Sequence, residues 1–341
     1  MARVVQTAFP TLLKPPPVDT SKAEIENLLE LTQIIDIDKD LYTNTRPLWH
    51  PPGARGIYGG AAIAQCLAAA QNTVPKNFTV HSMHCYFVLA GDADIPIIYH
   101  VEDIRSGRSF ATRTVQARQR GKVIFTTTIS FVKEGAGGQK LVEHETEMPF
   151  VPSPDEAQPQ RLPQGIRSPF ESQRIDILNN NSPRPETKKT RQWLRVRGKI
   201  SPQGGHEAHL AALAYMSDSY FIGTIARTHK LWRIPRGKNK PSQDENDVLQ
   251  ALREGAEENR MGKREIGMMV SLDHTIYFHD PRNFRADDWL FTEMETPWAG
   301  DGRGLVYQRI WTKEGKLIAT CVQEGVVRLR QDDEDEPKSK L

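Results

Sequence analysis

The sequence predicts an α+β protein built from two copies of one unit, an Ala-rich helix followed by about four antiparallel strands. Three observations carry that expectation. Gly121-Lys122-Val123-Ile124-Phe125-Thr126 returns, loosely, as Gly315-Lys316-Leu317-Ile318-Ala319-Thr320 at an offset of 194. Upstream, Tyr86-Phe87 returns as Tyr277-Phe278 at an offset of 191. Further upstream, GGAAIAQCLAAA is answered by HEAHLAALAYMS, another small-residue stretch of helical spacing. A repeated order of elements at a nearly constant offset is the mark of a duplicated domain.

The elements follow in order. A first helix is expected over about Lys22–Ile35, opened by the capping-box pattern Ser21-Lys22-Ala23-Glu24. Residues 60–71 place Ile63 and Leu67 on one helical face and fill the rest with Ala, so this helix lies close to something that wraps it. Gly59 and Gly60 permit a tight entry into it. Strand-like runs then cover Val80–Leu89, Pro96–Asp103, Ser109–Gln119 and Lys122–Val132, with Ser106-Gly107 and Gly121 as turns. The second unit has a helix over about His206–Ile225 and strands over Met268–His279, Trp289–Thr296, Gly304–Thr312 and Lys316–Arg328. A long sheet curled round a central helix satisfies each unit.

Composition divides the rest of the chain. A tail over residues 1–19 precedes the first domain, residues 20–135. Residues 136–190, rich in Pro, Gly, Gln and Asn, read as a connector over the surface. The second domain spans residues 191–330 and carries a highly charged insert over about 227–266, with a short helix near Asp247–Glu258. Residues 331–341 form an acidic tail ending in Ser339-Lys340-Leu341, the receptor-read address for the peroxisome matrix.

Of the 341 residues, 38% are hydrophobic and 26% charged, which suits a protein with a real core rather than a disordered chain. The formal net charge of +2 gives no case for nucleic-acid or membrane-surface binding. No apolar run is long enough to span a bilayer. Cys66, Cys85 and Cys321 form no CxxC pair, so they read as buried thiols rather than a disulfide framework or zinc site. His81 and His84 lack a third ligand at metal spacing, and no metal or other cofactor is expected.

GIYGGAAIAQCLAAA, VHSMHCYFVLAGD and GRSFATRTVQARQRGKVIF together resemble the first half of the acyl-CoA thioesterase II family. LAYMSDSYF, VSLDHTIYFHDP and GRGLVYQRIWTKEGKLIATCVQEGVVR resemble its second half. The resemblance covers about residues 20–135 and 190–330. It implies a tandem of two hotdog domains and hydrolysis of acyl-CoA to fatty acid and CoA. It also implies a catalytic trio in the second hotdog: Asp218 in YMSDSYF, Ser271 in VSLDH and Gln323 in VQEGV. The insert between Asp218 and Ser271 is longer than the family's typical members carry.

The chemistry of that trio is coherent. Asp218 accepts a proton from water, Ser271 and Gln323 hold the water, and Gln323 also has N–H donors for the developing negative charge. General-base hydrolysis is favoured over attack by Ser271, because no His is obviously placed to activate it. Asp273 and His274 invite a Ser-His-Asp reading, but strand alternation puts His274 on the face opposite Ser271 and Asp273. DGRG at 301–304 reads as a hairpin loop, not a dinucleotide fingerprint. Arg105, Arg108 and Arg303 are candidates for the CoA phosphates, and Tyr58 and Trp298 line an acyl tunnel or pack a core.

Two other functions stay in view. An enoyl-CoA hydratase of the same fold would need an Asp and His close together in a loop-helix motif, which neither Gly59–Gln65 nor Ser217–Phe221 supplies. A non-catalytic CoA-binding protein would not need the intact trio. The partners expected are acyl-CoA, the peroxisomal import receptor at the C-terminus and a second copy of the chain in a homodimer.

Overall fold

The computed structural model describes residues 15–48, 56–154, 168–231 and 265–331. The first half contains helix α1 (Glu24–Leu29), the short strands β1 (Leu31–Gln33) and β2 (Leu41–Asn44), and helix α2 (Gly59–Gln71). Strands β3 (Phe78–Phe87), β4 (Ile98–Ser106), β5 (Phe110–Gln119) and β6 (Lys122–Lys133) follow. The second half opens with β7 (Phe170–Leu178) and β8 (Lys189–Val196), then helices α3 (Gly205–Ser217) and α4 (Gly223–Thr228). It closes with β9 (Ile266–Ser271), β10 (Asp273–Phe278), β11 (Leu290–Gly300), β12 (Arg303–Thr312) and β13 (Leu317–Leu329).

All of these strands form one sheet, ordered β1-β2-β4-β5-β6-β3-β10-β13-β12-β11-β8-β7, with β9 also paired to β13. The halves meet where β3 pairs antiparallel with β10, placing Cys85 opposite His274 and His84 opposite Thr275. The sheet curls round α2 and α3, giving the double hotdog that the resemblance implied.

The two central helices pack antiparallel. The start of α2 meets the end of α3 through the Tyr58 hydroxyl, which donates to the Tyr215 carbonyl at 3.0 Å. At the other end Lys76, beyond α2, pairs with Glu207 early in α3. Alanines let these backbones approach, and every position of α2 from Gly60 to Leu67 is buried.

The structure differs from the sequence reading at five places. The helix expected over Lys22–Ile35 stops at Leu29, and β1 and β2 follow it. Its N-cap is Ala23, whose N–H is taken by Glu26 at 2.8 Å, while Ser21 is tied into a turn by Asp19. The helix expected over His206–Ile225 breaks after Ser217, because Tyr220 takes a left-handed conformation (φ 58°). The strand expected over Met268–His279 is two strands split at Leu272.

The fifth concerns the stretch read as connector, 136–190, which contains β7 and the start of β8. Its earlier part packs on the outer face of strands β8, β11 and β12. There Trp193 donates to the Pro152 carbonyl and Trp311 to the Thr146 carbonyl, over a cluster of Trp193, Trp289, Phe291 and Trp311. An indole must place its N–H when buried, and the connector's backbone supplies the acceptors.

Asp301 (φ 50°) and Gly302 (φ 67°) form the tight turn between β11 and β12, so DGRG is a hairpin as read. Cys66, Cys85 and Cys321 are free and buried. No helix among the described residues is long and apolar enough to cross a membrane. The charged insert's expected helix at Asp247–Glu258 and the terminal Ser339-Lys340-Leu341 lie outside the described residues.

Candidate active site

Asp218 is the C-cap of α3, directly beside the N-terminus of α2. Its Oδ1 accepts a hydrogen bond from Gln323 Nε2 at 2.8 Å, and its carboxylate also accepts the backbone N–H of Gly60. Glycine is required at the meeting point. A Cβ on Gly60 would lie 2.3 Å from the Tyr215 carbonyl oxygen, and one on Gly59 would lie 2.7 Å from Asp218 Oδ2. Burial raises the Asp218 pKa to about 6, against the lowering effect of its two donors. A base of that strength is ionised at neutral pH yet retains appreciable proton affinity.

Gln323 lies in the middle of β13 and is fully buried. Its amide nitrogen faces Asp218 and also lies 3.3 Å from His274 Nδ1. The other imidazole nitrogen of His274 lies 2.9 Å from Ser217 Oγ, whose own proton goes to the Ala214 carbonyl. The network therefore fixes every proton. His274 carries hydrogen on Nε2 and gives it to Ser217, so Nδ1 accepts from Gln323. Burial holds the His274 pKa down to about 3, so the ring is neutral.

This orients the Gln323 side chain. Both amide hydrogens are engaged, and Oε1 is buried with no hydrogen-bond partner on the protein. The side chain thus presents an acceptor, and its N–H groups, which the sequence reading offered to a developing oxyanion, are both engaged within the protein.

The face assignment of His274 is corrected as well. Ser271 pairs with Gly325, whereas Thr275 pairs with Val322 and Ile276 with Cys321. The register slips by one residue at Leu272, whose N–H goes to the Glu324 carbonyl. This bulge reverses the alternation. Ser271, opposite Gly325, now shares the inner face with Gln323 two residues away, and His274 lies on that face too. Asp273 turns away and accepts the Glu324 N–H at 2.8 Å, a structural bond.

Of the trio, then, Asp218 and Gln323 are in direct contact. Ser271 stands one residue pair along the same face, and among the described residues its hydroxyl forms no hydrogen bond. Residues on such a diagonal are about 7–8 Å apart at Cα, close enough for one water to bridge their side chains.

The arginines do not converge. Arg105 and Arg108 lie at the β4–β5 hairpin, whose neighbour Arg113 binds Thr73 just past the C-terminus of α2. Asp218 is at the opposite end of that helix, about 20 Å away at 1.5 Å per residue. Arg303 is nearer, since it pairs with Glu324, the residue after Gln323, at 2.8 Å and lies over the Trp298 ring. Tyr58 packs against Tyr215 beside the site. His81 and His84 bond Ser130 and Thr275, and among the described residues no His, Cys, Asp and Glu group suits a metal.

The sequence reading missed the Gly60 N–H and the His274–Ser217 support. The Gly59-Gly60 pair before an Ala-rich helix was the available signal, since paired glycines there mark a close approach of backbone to another group.

Residues 46–132 match the family model of the acyl-CoA thioesterase N-terminal domain, and residues 150–327 match that of the C-terminal domain. The chain belongs to the acyl-CoA thioesterase II family. Among curated relatives, rat acyl-coenzyme A thioesterase 8 is 36% identical over 313 residues, covering 86% of each chain. The yeast peroxisomal acyl-coenzyme A thioester hydrolase 1 is 25% identical over 369 residues, covering 91% of this chain and 97% of its own. Among solved structures, the acyl-CoA thioesterase II TesB2 of Mycobacterium marinum superposes with a TM-score of 0.65 at 30% identity, covering 91% of this chain and 99% of that one. Within this thioesterase the repeat is chemically asymmetric. Asn72 caps α2 where Asp218 caps α3, and the offset of 194 sets Ile129 opposite Gln323.

Proposed function

We propose that this acyl-CoA thioesterase hydrolyses its substrate by activating one water between Asp218, Ser271 and Gln323. The observation that carries the reading is the buried, unpartnered Gln323 Oε1 beside a carboxylate whose pKa is raised to about 6. The water gives one hydrogen to Gln323 Oε1 and the other to Asp218, and Ser271 completes its hydrogen bonding. As its oxygen attacks the thioester carbon, Asp218 takes the proton. The oxyanion develops toward the α2 N-terminus, where the helix dipole favours negative charge. Collapse of the tetrahedral intermediate breaks the C–S bond, and protonated Asp218 returns its proton to the departing sulfur. His274 is a positioning residue that holds the Gln323 amide in register.

Two further readings belong with this one. The terminal Ser339-Lys340-Leu341 directs the chain to the peroxisome matrix through the import receptor. A fluorescent fusion that keeps this C-terminus free tests it, and a diffuse cytosolic signal would refute it. The residue ranges 20–135 and 191–330 are read as the two hotdog units, with β7 joining the second.

The test of the mechanism is thiol release from a series of acyl-CoAs by the wild type and by Asp218→Asn. Loss of most activity in a folded variant supports Asp218 as base, and equal activity in both removes it.

A further inference from the structure

A line of buried polar side chains leaves Gln323 and crosses the sheet from β13 towards its β7 edge. On β13, Gln323 pairs with Val306 of β12, and Gln308 shares that inner face two residues on. Gln308 Nε2 donates to Thr292 Oγ1 of β11 at 2.8 Å. Thr292 stands opposite Gln192 of β8, and Gln192 opposite Arg174 of β7. Gln323, Gln308, Thr292 and Gln192 are all fully buried, whereas Arg174, on the edge strand, is exposed. The Arg174 guanidinium lies 4.7 Å from the ring centroid of Tyr220, two residues past Asp218.

The row is polar where the fold calls for apolar residues. Helix α4 lies over β8, β11 and β12 at this place, and its Thr224 hydroxyl meets that of Thr190 on β8. Oε1 of Gln308, and both Oε1 and Nε2 of Gln192, have no hydrogen-bond partner on the protein, as is true of Gln323 Oε1. Nη1 of Arg227 on α4 is in the same condition. Orphaned amides are costly in a protein interior, and proteins satisfy them with ordered water. Here orphaned amide atoms on β13, β12 and β8 lie along one polar row, joined on β11 by Thr292, that leads from the reacting centre towards the edge strand β7.

We propose that this row is a water channel. It admits the hydrolytic water to Gln323 Oε1 from beneath α4, by a path separate from the one the acyl-CoA occupies. Hydrolysis consumes one water per turnover, so a supply path that does not run through the acyl-CoA site has an evident use. The inference rests on the reading of Gln323 as the group that holds the attacking water.

Two measurements on the full chain test it. The first is a crystal structure of the wild type at a resolution that shows ordered solvent. Waters within hydrogen-bond distance of Gln308 Oε1 and of the Gln192 amide support the channel, and a dry row overturns it. The second is steady-state kinetics of Gln308→Met and Gln192→Met, which keep side-chain volume and remove the polar atoms. The channel predicts a kcat about tenfold lower at a KM within about twofold of wild type, out of proportion to any change in Tm. Unchanged kcat overturns the proposal, and so does a KM that falls for plain alkyl chains, which would mean that the acyl group fills the row. A lower Tm with proportionate activity loss also overturns it, as a purely structural role. Asp218→Asn is run beside them. If it is inactive while the Met variants match wild type, the channel fails and the site stands; if it is fully active, both fall.

Discussion

Gln323 Nε2 lies 2.8 Å from Asp218 Oδ1 and 3.3 Å from His274 Nδ1, so one amide nitrogen spends both hydrogens on its neighbours. That leaves the carbonyl end of the side chain for chemistry. Most of what can be tested about this enzyme follows from that orientation and from the burial of the carboxylate it touches.

Replacing the base should separate activity from stability. The Asp218 carboxyl titrates near 3.8 when free and at about 6 in the fold, a gap worth roughly 3 kcal/mol. Because the folded pKa is the higher one, this group favours the native state below pH 4, and that stabilisation is lost as pH rises through 6. Asp218→Asn removes the ionisation while retaining an acceptor for Gln323 and Gly60. It should lose about 100-fold or more in kcat. Thermal melts should show it more stable than wild type at pH 8, with the difference vanishing near pH 4.

The same value sets the rate profile. Activity requires the ionised carboxylate, so kcat/KM should climb with pH through about 6 and level off above it. His274 is neutral throughout this range and adds no second inflection. A profile falling as pH rises from 5 to 7 would contradict Asp218 as base.

Gln323→Met should move that profile. It removes the hydrogen bond that lowers the Asp218 pKa, so the midpoint should shift to higher pH while the plateau falls. Titrating kcat/KM of the variant against wild type checks both changes, and a midpoint that stays in place would mean the contact is not made in solution.

Ser271→Ala should reduce kcat about tenfold to 100-fold without abolishing it, since one of three groups holding the water is lost. No acyl-enzyme should be trapped on rapid mixing of the wild type with substrate. A stoichiometric burst that disappears in the Ala variant would make Ser271 a nucleophile instead.

Gly60→Ala tests the seam between the halves. The added methyl meets the Tyr215 carbonyl and the Tyr58 ring, neither of which can yield cheaply. Overpacking of this kind costs roughly 1–3 kcal/mol. The displaced N–H would also leave Asp218, so activity should fall by more than the stability loss explains, as parallel melts and assays would show.

The repeat, the Ala-rich helices and the long strands of each half were legible because they rest on periodicity and composition, which are local. Asp218 and Gln323 were legible through motifs, and the apolar run around Gln323 already marked its amide as a buried group in need of partners. Other features depend on contacts between distant segments. The bulge at Leu272 arises from how β9 and β10 each register with β13, and no feature of VSLDH announces it. Strands β1 and β2 are too short to show alternation. The left-handed Tyr220 that ends α3 is a conformation a bulky residue adopts only under tertiary constraint. The donation from Gly60 crosses from one half of the chain to the other, beyond what spacing can reveal.

The β3–β10 seam has a consequence for how such a chain can change over generations. Two identical subunits must carry every substitution twice, whereas two fused copies are free to drift apart. Here one copy carries the acid at its helix C-cap and the other carries Asn72. Yet the silent copy is not dispensable, because its helix start supplies the backbone hydrogen that Asp218 receives. The first half therefore contributes its glycines and strand β3 to a site whose acid and amide lie in the second, and neither half alone contains the whole arrangement.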